Sequence, residues 1–202
     1  MKPDAVSASI SPPERRRLLA LARTSIRAFL QDLRLPPADP PAPLPSIRRS
    51  AFVTLHVAGR LRGCIGRMDS PEPLDSLVAT CAILAASRDP RFTPLQLPEF
   101  AALEIELSIL STPEPAPSSA VLDRLLPGVH GVTISLGASR GLLLPQVATQ
   151  FRWDARRFLE ETCRKAGLPA HAWRDPEVRI ELFTAEVFSE SEYPAAPAAA
   201  AG

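Results

Sequence analysis

The segment that most constrains this chain is a glycine-flanked thiol in a strand-like run, Leu61-Arg62-Gly63-Cys64-Ile65-Gly66. It follows Ala51-Phe52-Val53-Thr54-Leu55-His56-Val57 across a short Ala58-Gly59-Arg60 turn, and the two runs read as a β-hairpin. Glycine weakens a strand interior and marks a place where another group approaches the backbone. Here the bare positions flank a sulfur, so the pattern points to a close approach near Cys64.

The rest of the chain supplies helices and alternating strands around that hairpin. Ser11 is placed to cap a helix, with Pro12 at its first position and Glu14 three residues on. The spacing predicts that helix to about Leu33, with Leu18, Leu21, Ala22, Ile26, Phe29 and Leu30 inward. Residues 35–45 carry too many prolines for helix or inner strand and read as an extended connector. Ser70, Pro71 and Pro73 open a second helix to about Ser87, with Cys81 on its apolar stripe. Arg88-Asp89-Pro90-Arg91-Phe92 is a polar turn.

Leu103 to Leu110 alternates cleanly, so Glu104, Glu106 and Ser108 share one strand face. A short helix over 121–126, a strand over 129–136, a glycine turn over 137–141 and a strand ending at Pro145 follow. Asp154 caps a last helix that ends near Ala166, with Gly167 just beyond and Cys163 inward. Residues 178–188 read as one final strand. The expected class is α+β: a mixed or antiparallel sheet packed with two or three helices. Residues 1–10 are expected to be a disordered leader, 11–189 the domain, and 190–202 a disordered Ala/Pro-rich tail.

Charge and cysteine content narrow the function classes. The formal net charge is +1, which argues against broad nucleic-acid binding. The three cysteines, Cys64, Cys81 and Cys163, have neither disulfide-framework nor zinc spacing, so a reducing compartment is expected. Arg15-Arg16-Arg17 interrupts any apolar run that a secretory leader would need, and no stretch is apolar enough for a membrane span. A cytoplasmic protein is the expectation. No HxH, HExxH or paired-cysteine pattern marks a metal site, and nothing in the sequence assigns a cofactor.

The Leu61–Gly66 hexapeptide resembles the signature of the AMMECR domain family, whose prokaryotic members are often called AmmeMemoRadiSam system protein A. Arg88–Phe92, Leu103–Ser108, His130-Gly131, Gly141–Ala148 and Trp173–Pro176 resemble further family segments in the same order. The likeness covers roughly residues 14–189. Val129 departs from it, standing where the family frequently has a lysine. The resemblance implies one α+β domain with a small subdomain and a cleft lined by these motifs. It also implies association with a Memo-like protein and a radical S-adenosylmethionine protein. It implies no reaction.

Two readings of the candidate residues stay open. In one, Cys64 is a nucleophile or acid, with His130 as base and Glu104 orienting it, acting on a small molecule or modified nucleotide. Arg62, two residues from Cys64, is the expected cation on the same face. In the other, Cys64 is an inert thiol and the motif is a recognition surface of an accessory or adaptor subunit. Arg62, Gly63, Gly66, Asp89 and Arg91 are then the binding residues, with Asp89 and Arg91 paired across their turn. Glu104 in that case is solvated or paired with Arg62 or Arg91.

Overall fold

The computed structural model describes residues 9–32, 50–68 and 70–193. The proline-rich connector, most of the expected leader and the tail from residue 194 lie outside them. The described residues form two compact units, one of those up to residue 109 together with those from 186 on, the other of residues 110–185. Among the described residues lie two four-stranded sheets, where the sequence predicts one sheet. The class is α+β.

The first unit holds helices α1 (Pro12–Leu30) and α2 (Leu74–Ser87) and strands β1 (Ser50–Val57), β2 (Arg60–Arg67) and β3 (Leu103–Leu110). The last strand of the chain, β8 (Ala185–Ser189), completes its sheet in the order β2-β1-β3-β8. α1 begins where Ser11 and Glu14 predict, with the Glu14 carboxylate accepting from the Ser11 backbone N–H at 2.8 Å. Leu18, Ala22 and Ile26 are buried as the spacing predicts, while Leu19 is also inside and Phe29 is exposed. Leu18, Ala22 and Ile26 of α1, Leu77 and Cys81 of α2, and Val53, Leu55, Ile105 and Leu107 of the sheet make one core.

The expected ends of the domain move outward. Ile10 is buried and its N–H donates to Glu186, so the ordered segment begins before Ser11. Glu190 accepts from Arg23 and from the Ile105 N–H, and Tyr193 packs on the core, so residues 190–193 belong to the domain and not to a tail.

Between the two hairpin strands, Ala58 and Gly59 both have positive φ, 49° and 73°. That is the twist a two-residue hairpin turn requires. Gly63 faces inward beneath α2, where a Cβ would lie 2.2 Å from the Ala85 carbonyl oxygen. Only a residue without a side chain lets α2 sit this low on the sheet.

The second unit has strands β4 (Glu114–Pro115), β5 (Gly131–Leu136), β6 (Ser139–Leu143) and β7 (Arg179–Phe183) in the order β4-β7-β5-β6. Helices α3 (Val121–Arg124), α4 (Pro145–Phe151) and α5 (Ala155–Lys165) complete it. Pro145 does more than end a strand, because it opens α4, which the sequence reading lacks. The described residues hold five α-helices; α1, α2, α3 and α5 lie where the sequence predicts helix, and α4 is the addition. The expected single strand over 178–188 is two strands: β7 ends at Phe183 and β8, in the other sheet, starts at Ala185. α5 packs on β5 and β6 and buries Phe158, Leu159, Thr162 and Cys163.

Packing at Gly63 gives a direct test. Gly63→Ala should cost on the order of 2–4 kcal/mol through overpacking against backbone. Gly59→Ala, with open space around it, should cost only about 1 kcal/mol for its left-handed φ. Urea unfolding of both variants checks this; equal costs would refute the close helix–strand contact.

Candidate functional site

Strand register decides where Cys64 points. Val57 pairs with Arg60 and His56 with Leu61, but the next pair is Leu55 with Gly63, so Arg62 is the extra residue of a β-bulge. Without it, Cys64 would lie opposite Val53 on the core face. With it, Cys64 lies opposite Thr54 on the other face, and Gly63 and Ile65 take the inward positions. The Thr54 hydroxyl contacts the Cys64 sulfur at 3.4 Å.

The Arg88–Phe92 turn closes the outer edge of β2. The Cys64 N–H donates to Asp89 Oδ2 at 2.8 Å, and the Cys64 carbonyl accepts from Arg91 Nη2 at 3.4 Å. Both backbone groups of Cys64 therefore face away from β1. Thr54 and Cys64 are a non-hydrogen-bonded pair, the kind that brings side chains closest. Asp89 is 4% exposed and its carboxylate accepts four bonds at this corner. Besides Cys64, its donors are Arg91 N at 3.1 Å, Nε at 2.9 Å and Nη2 at 2.6 Å. These bonds, led by the Arg91 guanidinium, hold the Asp89 carboxyl down at about 2 against burial. Arg91 is correspondingly raised, chiefly by Asp89, with the Cys64 thiol contributing.

The cation beside the thiol is thus Arg91. The Arg62 guanidinium goes to Glu99, with Nε to Oε1 at 2.7 Å and Nη2 to Oε2 at 3.0 Å, and to the carbonyls of Thr93 and Pro94. Arg62 in turn lowers the Glu99 pKa. Gly66 lies beneath the Phe52 ring, where a Cβ would be 2.2 Å from Cδ1. The close approaches that the two glycines permit are made by the protein's own Ala85 carbonyl and Phe52 ring.

Glu104 and Glu106 do share the face that the alternation of β3 predicts, and both are half-buried. β1 runs between β2 and β3, which sets Cys64 and Glu104 about 10 Å apart in the strand-pairing direction. Neither Arg62 nor Arg91 is given to Glu104. Burial raises the Glu106 pKa, the His56 charge opposes that rise, and Glu192 and Glu104 add to it. His130 belongs to the second unit, where its Nδ1 accepts from the Leu126 N–H at 3.2 Å. Cys81 and Cys163 are buried core thiols, with Cys81 pushed up by burial to about 11. Among the described residues no group of three His, Cys, Asp or Glu is placed to hold a metal ion, and no helix is long and apolar enough to cross a membrane.

Thr54 is absent from the sequence-based candidates, and His56 ranks there below Cys64, Glu104 and His130. The signal was present in their alternation with Phe52, but it becomes useful only once the bulge is known. What the face offers is a half-buried thiol with a hydroxyl neighbour and a guanidinium at the rim. An imidazole and two carboxylates follow across the next strands. Among the described residues no base is hydrogen-bonded to the sulfur.

The Asp89 clamp carries a pH signature. A carboxyl whose folded pKa lies near 2, against an ordinary 3.8, contributes stability that is complete above about pH 5. That stability is lost as pH falls toward 2, and is worth about 2 kcal/mol. Asp89→Asn should remove that amount at neutral pH and flatten the acid limb of stability against pH. Chemical denaturation between pH 2 and 7 measures both; an unchanged acid limb would sink the assignment.

Comparison with known proteins places this architecture. The AMMECR1 family model matches residues 19–188. A Methanothermobacter thermautotrophicus protein is 42% identical over 192 residues, spanning 91% of this chain and 97% of its own length. Protein TK0174 of Thermococcus kodakarensis is 40% identical over 189 residues, covering 89% of this chain and 91% of its own. The crystal structure of the uncharacterized protein PH0010 from Pyrococcus horikoshii superposes with a TM-score of 0.79 at 39% identity, over 90% of this chain and 93% of that one. With its signature hexapeptide folded into the bulged edge strand and matches of this length, the chain belongs to the AMMECR1 family.

Proposed function

We propose that this protein is an accessory or adaptor subunit, and that the outer face of its first sheet around Cys64 is a recognition surface. The observation that carries this reading is how the motif residues are used. Arg62, Gly63, Gly66 and Asp89 all serve internal packing or internal ion pairs. The groups left facing outward are a thiol, an imidazole, two carboxylates and the rim of Arg91. Such a mixed polar surface suits partner recognition, with specificity set by charge placement. The family resemblance supplies the partners: a Memo-like protein and a radical S-adenosylmethionine protein. A reducing cytoplasmic setting fits three unpaired thiols.

A second reading, a cysteine-dependent enzyme acting on a small molecule or modified nucleotide, draws on one observation. The Arg91 guanidinium stands beside the Cys64 thiol, where it presents a cation to an anionic substrate.

The two readings separate in a deletion strain complemented with variants, read together with co-purification of the Memo-like and radical proteins. On the adaptor reading, Cys64→Ala complements fully. A double Glu104→Lys, Glu106→Lys exchange weakens co-purification tenfold or more and abolishes complementation. Loss of complementation by Cys64→Ala with complex formation intact would overturn the adaptor reading in favour of the enzyme.

A further inference from the structure

The second unit carries a feature that the signature motif does not touch. Phe151, Trp153 and Phe158 form a ladder of rings. Phe151 stacks on Trp153 with centroids 4.9 Å apart and planes inclined by 18°, and Trp153 leans on Phe158 at 6.5 Å. Phe158 is fully buried, Trp153 is half-buried, and Phe151 is 56% exposed. The outermost ring is therefore anchored through its neighbour to the core, with one face covered and the other open to water.

Three local preferences are broken within the same seven residues. An aromatic side chain is left in solvent. Arg152, which ends α4, has φ 54° and ψ 41°, a left-handed conformation that normally falls to glycine at this position. Arg156 and Arg157 stand in the first turn of α5, which has no acidic residue there, although a helix N-terminus disfavours cations. Arg157 is partly compensated by Glu160 and Glu161. Arg152 and Arg156 make no ion pair among the described residues, and Asp154, between them, is occupied in accepting the Arg157 N–H. Each departure costs stability, and their products are one open π-face with two uncommitted guanidiniums in the adjoining chain.

We propose that this ladder binds a planar aromatic ring that bears an anionic group, of the class of a purine nucleotide. The base stacks on the open face of Phe151 as a fourth rung, and Arg152 and Arg156 take the phosphate. Stacking on an aromatic side chain is worth about 1–3 kcal/mol per base, and a ring already held by Trp153 loses little freedom on binding. Arginine matches phosphate oxygens with paired donors. The same chemistry occurs in a free nucleotide and in an unpaired nucleotide of an RNA strand.

The full chain is titrated with AMP, with adenosine, with inorganic phosphate and with a short single-stranded oligoadenylate, following tryptophan emission and calorimetric heat. Trp153→Phe, which keeps the ladder, assigns the optical signal against the buried Trp173. AMP is expected to bind saturably and at least tenfold more tightly than adenosine or phosphate. Tighter oligoadenylate binding assigns the nucleotide to a strand; equal or weaker binding assigns it to a free ligand. Arg152→Gly is the decisive variant, because relief of the left-handed strain should leave the thermal midpoint unchanged or higher while AMP binding weakens tenfold or more. Phe151→Ala should weaken it to a similar degree. No saturable AMP binding at millimolar concentration, or wild-type affinity in Arg152→Gly, would overturn the proposal.

Discussion

A single extra residue in an edge strand determines what the face of the first sheet displays. The bulge at Arg62 moves every later residue of β2 to the opposite side of the sheet from the one that unbroken pairing would give. Ile65 enters the core, Gly63 slides beneath α2, and the Cys64 thiol emerges beside Thr54. Such a bulge needs external support, since it leaves one residue outside the ladder. Arg62 receives that support from Glu99 and from the carbonyls of Thr93 and Pro94. Just beyond it, Asp89 and Arg91 occupy the backbone groups of Cys64. The edge is thereby closed to a further strand, which an unpaired N–H and C=O would otherwise invite.

Arginine is central to these arrangements for a geometric reason. Arg23 with Glu190, Arg62 with Glu99 and Arg91 with Asp89 each place two guanidinium nitrogens on one carboxylate. Arg23 and Arg62 add backbone carbonyls in the same plane. A lysine ammonium is a point charge and cannot span such a set. The basic residues of the chain are nearly all arginine. In the folded chain, some of them are the means by which distant segments are tied: Glu190 to α1 and β3, Glu99 to the bulge, the Asp89 turn to the strand edge.

What was legible in the sequence is what depends on neighbours along the chain. Ser11-Pro12-Glu14 marked the start of α1, Asp154 and Gly167 bracketed α5, and the alternation over Leu103–Ser108 gave the face of Glu104 and Glu106. The α+β class follows from such local patterns. What was not legible depends on partners remote in sequence. Nothing within the hexapeptide announces that Arg62 is skipped in pairing, so the faces of Cys64 and Thr54 could not be matched. Asp89 read as a partner of Arg91 alone, because its bond to the Cys64 N–H spans 25 residues. The division of residues 178–188 between two sheets turns on Thr184, where no glycine or proline signals a break. α4 is hidden in the sequence because Pro145, which ends a strand, equally suits the first position of a helix.

The distribution of the motif residues bears on how a signature should be interpreted. Cysteine flanked by glycine and arginine is the vocabulary of an activated nucleophile, and the same residues are equally what a bulged, capped edge strand under a low-lying helix requires. Gly63 answers to the Ala85 carbonyl, Gly66 to the Phe52 ring, Arg62 to Glu99 and the Cys64 backbone to Asp89. Each of these demands would exclude other residue types whether or not any reaction occurs nearby. Among the described residues the thiol is the part of the hexapeptide's polar chemistry least engaged by the architecture, with the Thr54 hydroxyl as its contact. What remains to act on another molecule is the Cys64 sulfur and the outward-facing groups of β1 and β3, because the remainder of the signature is accounted for by the fold that presents them.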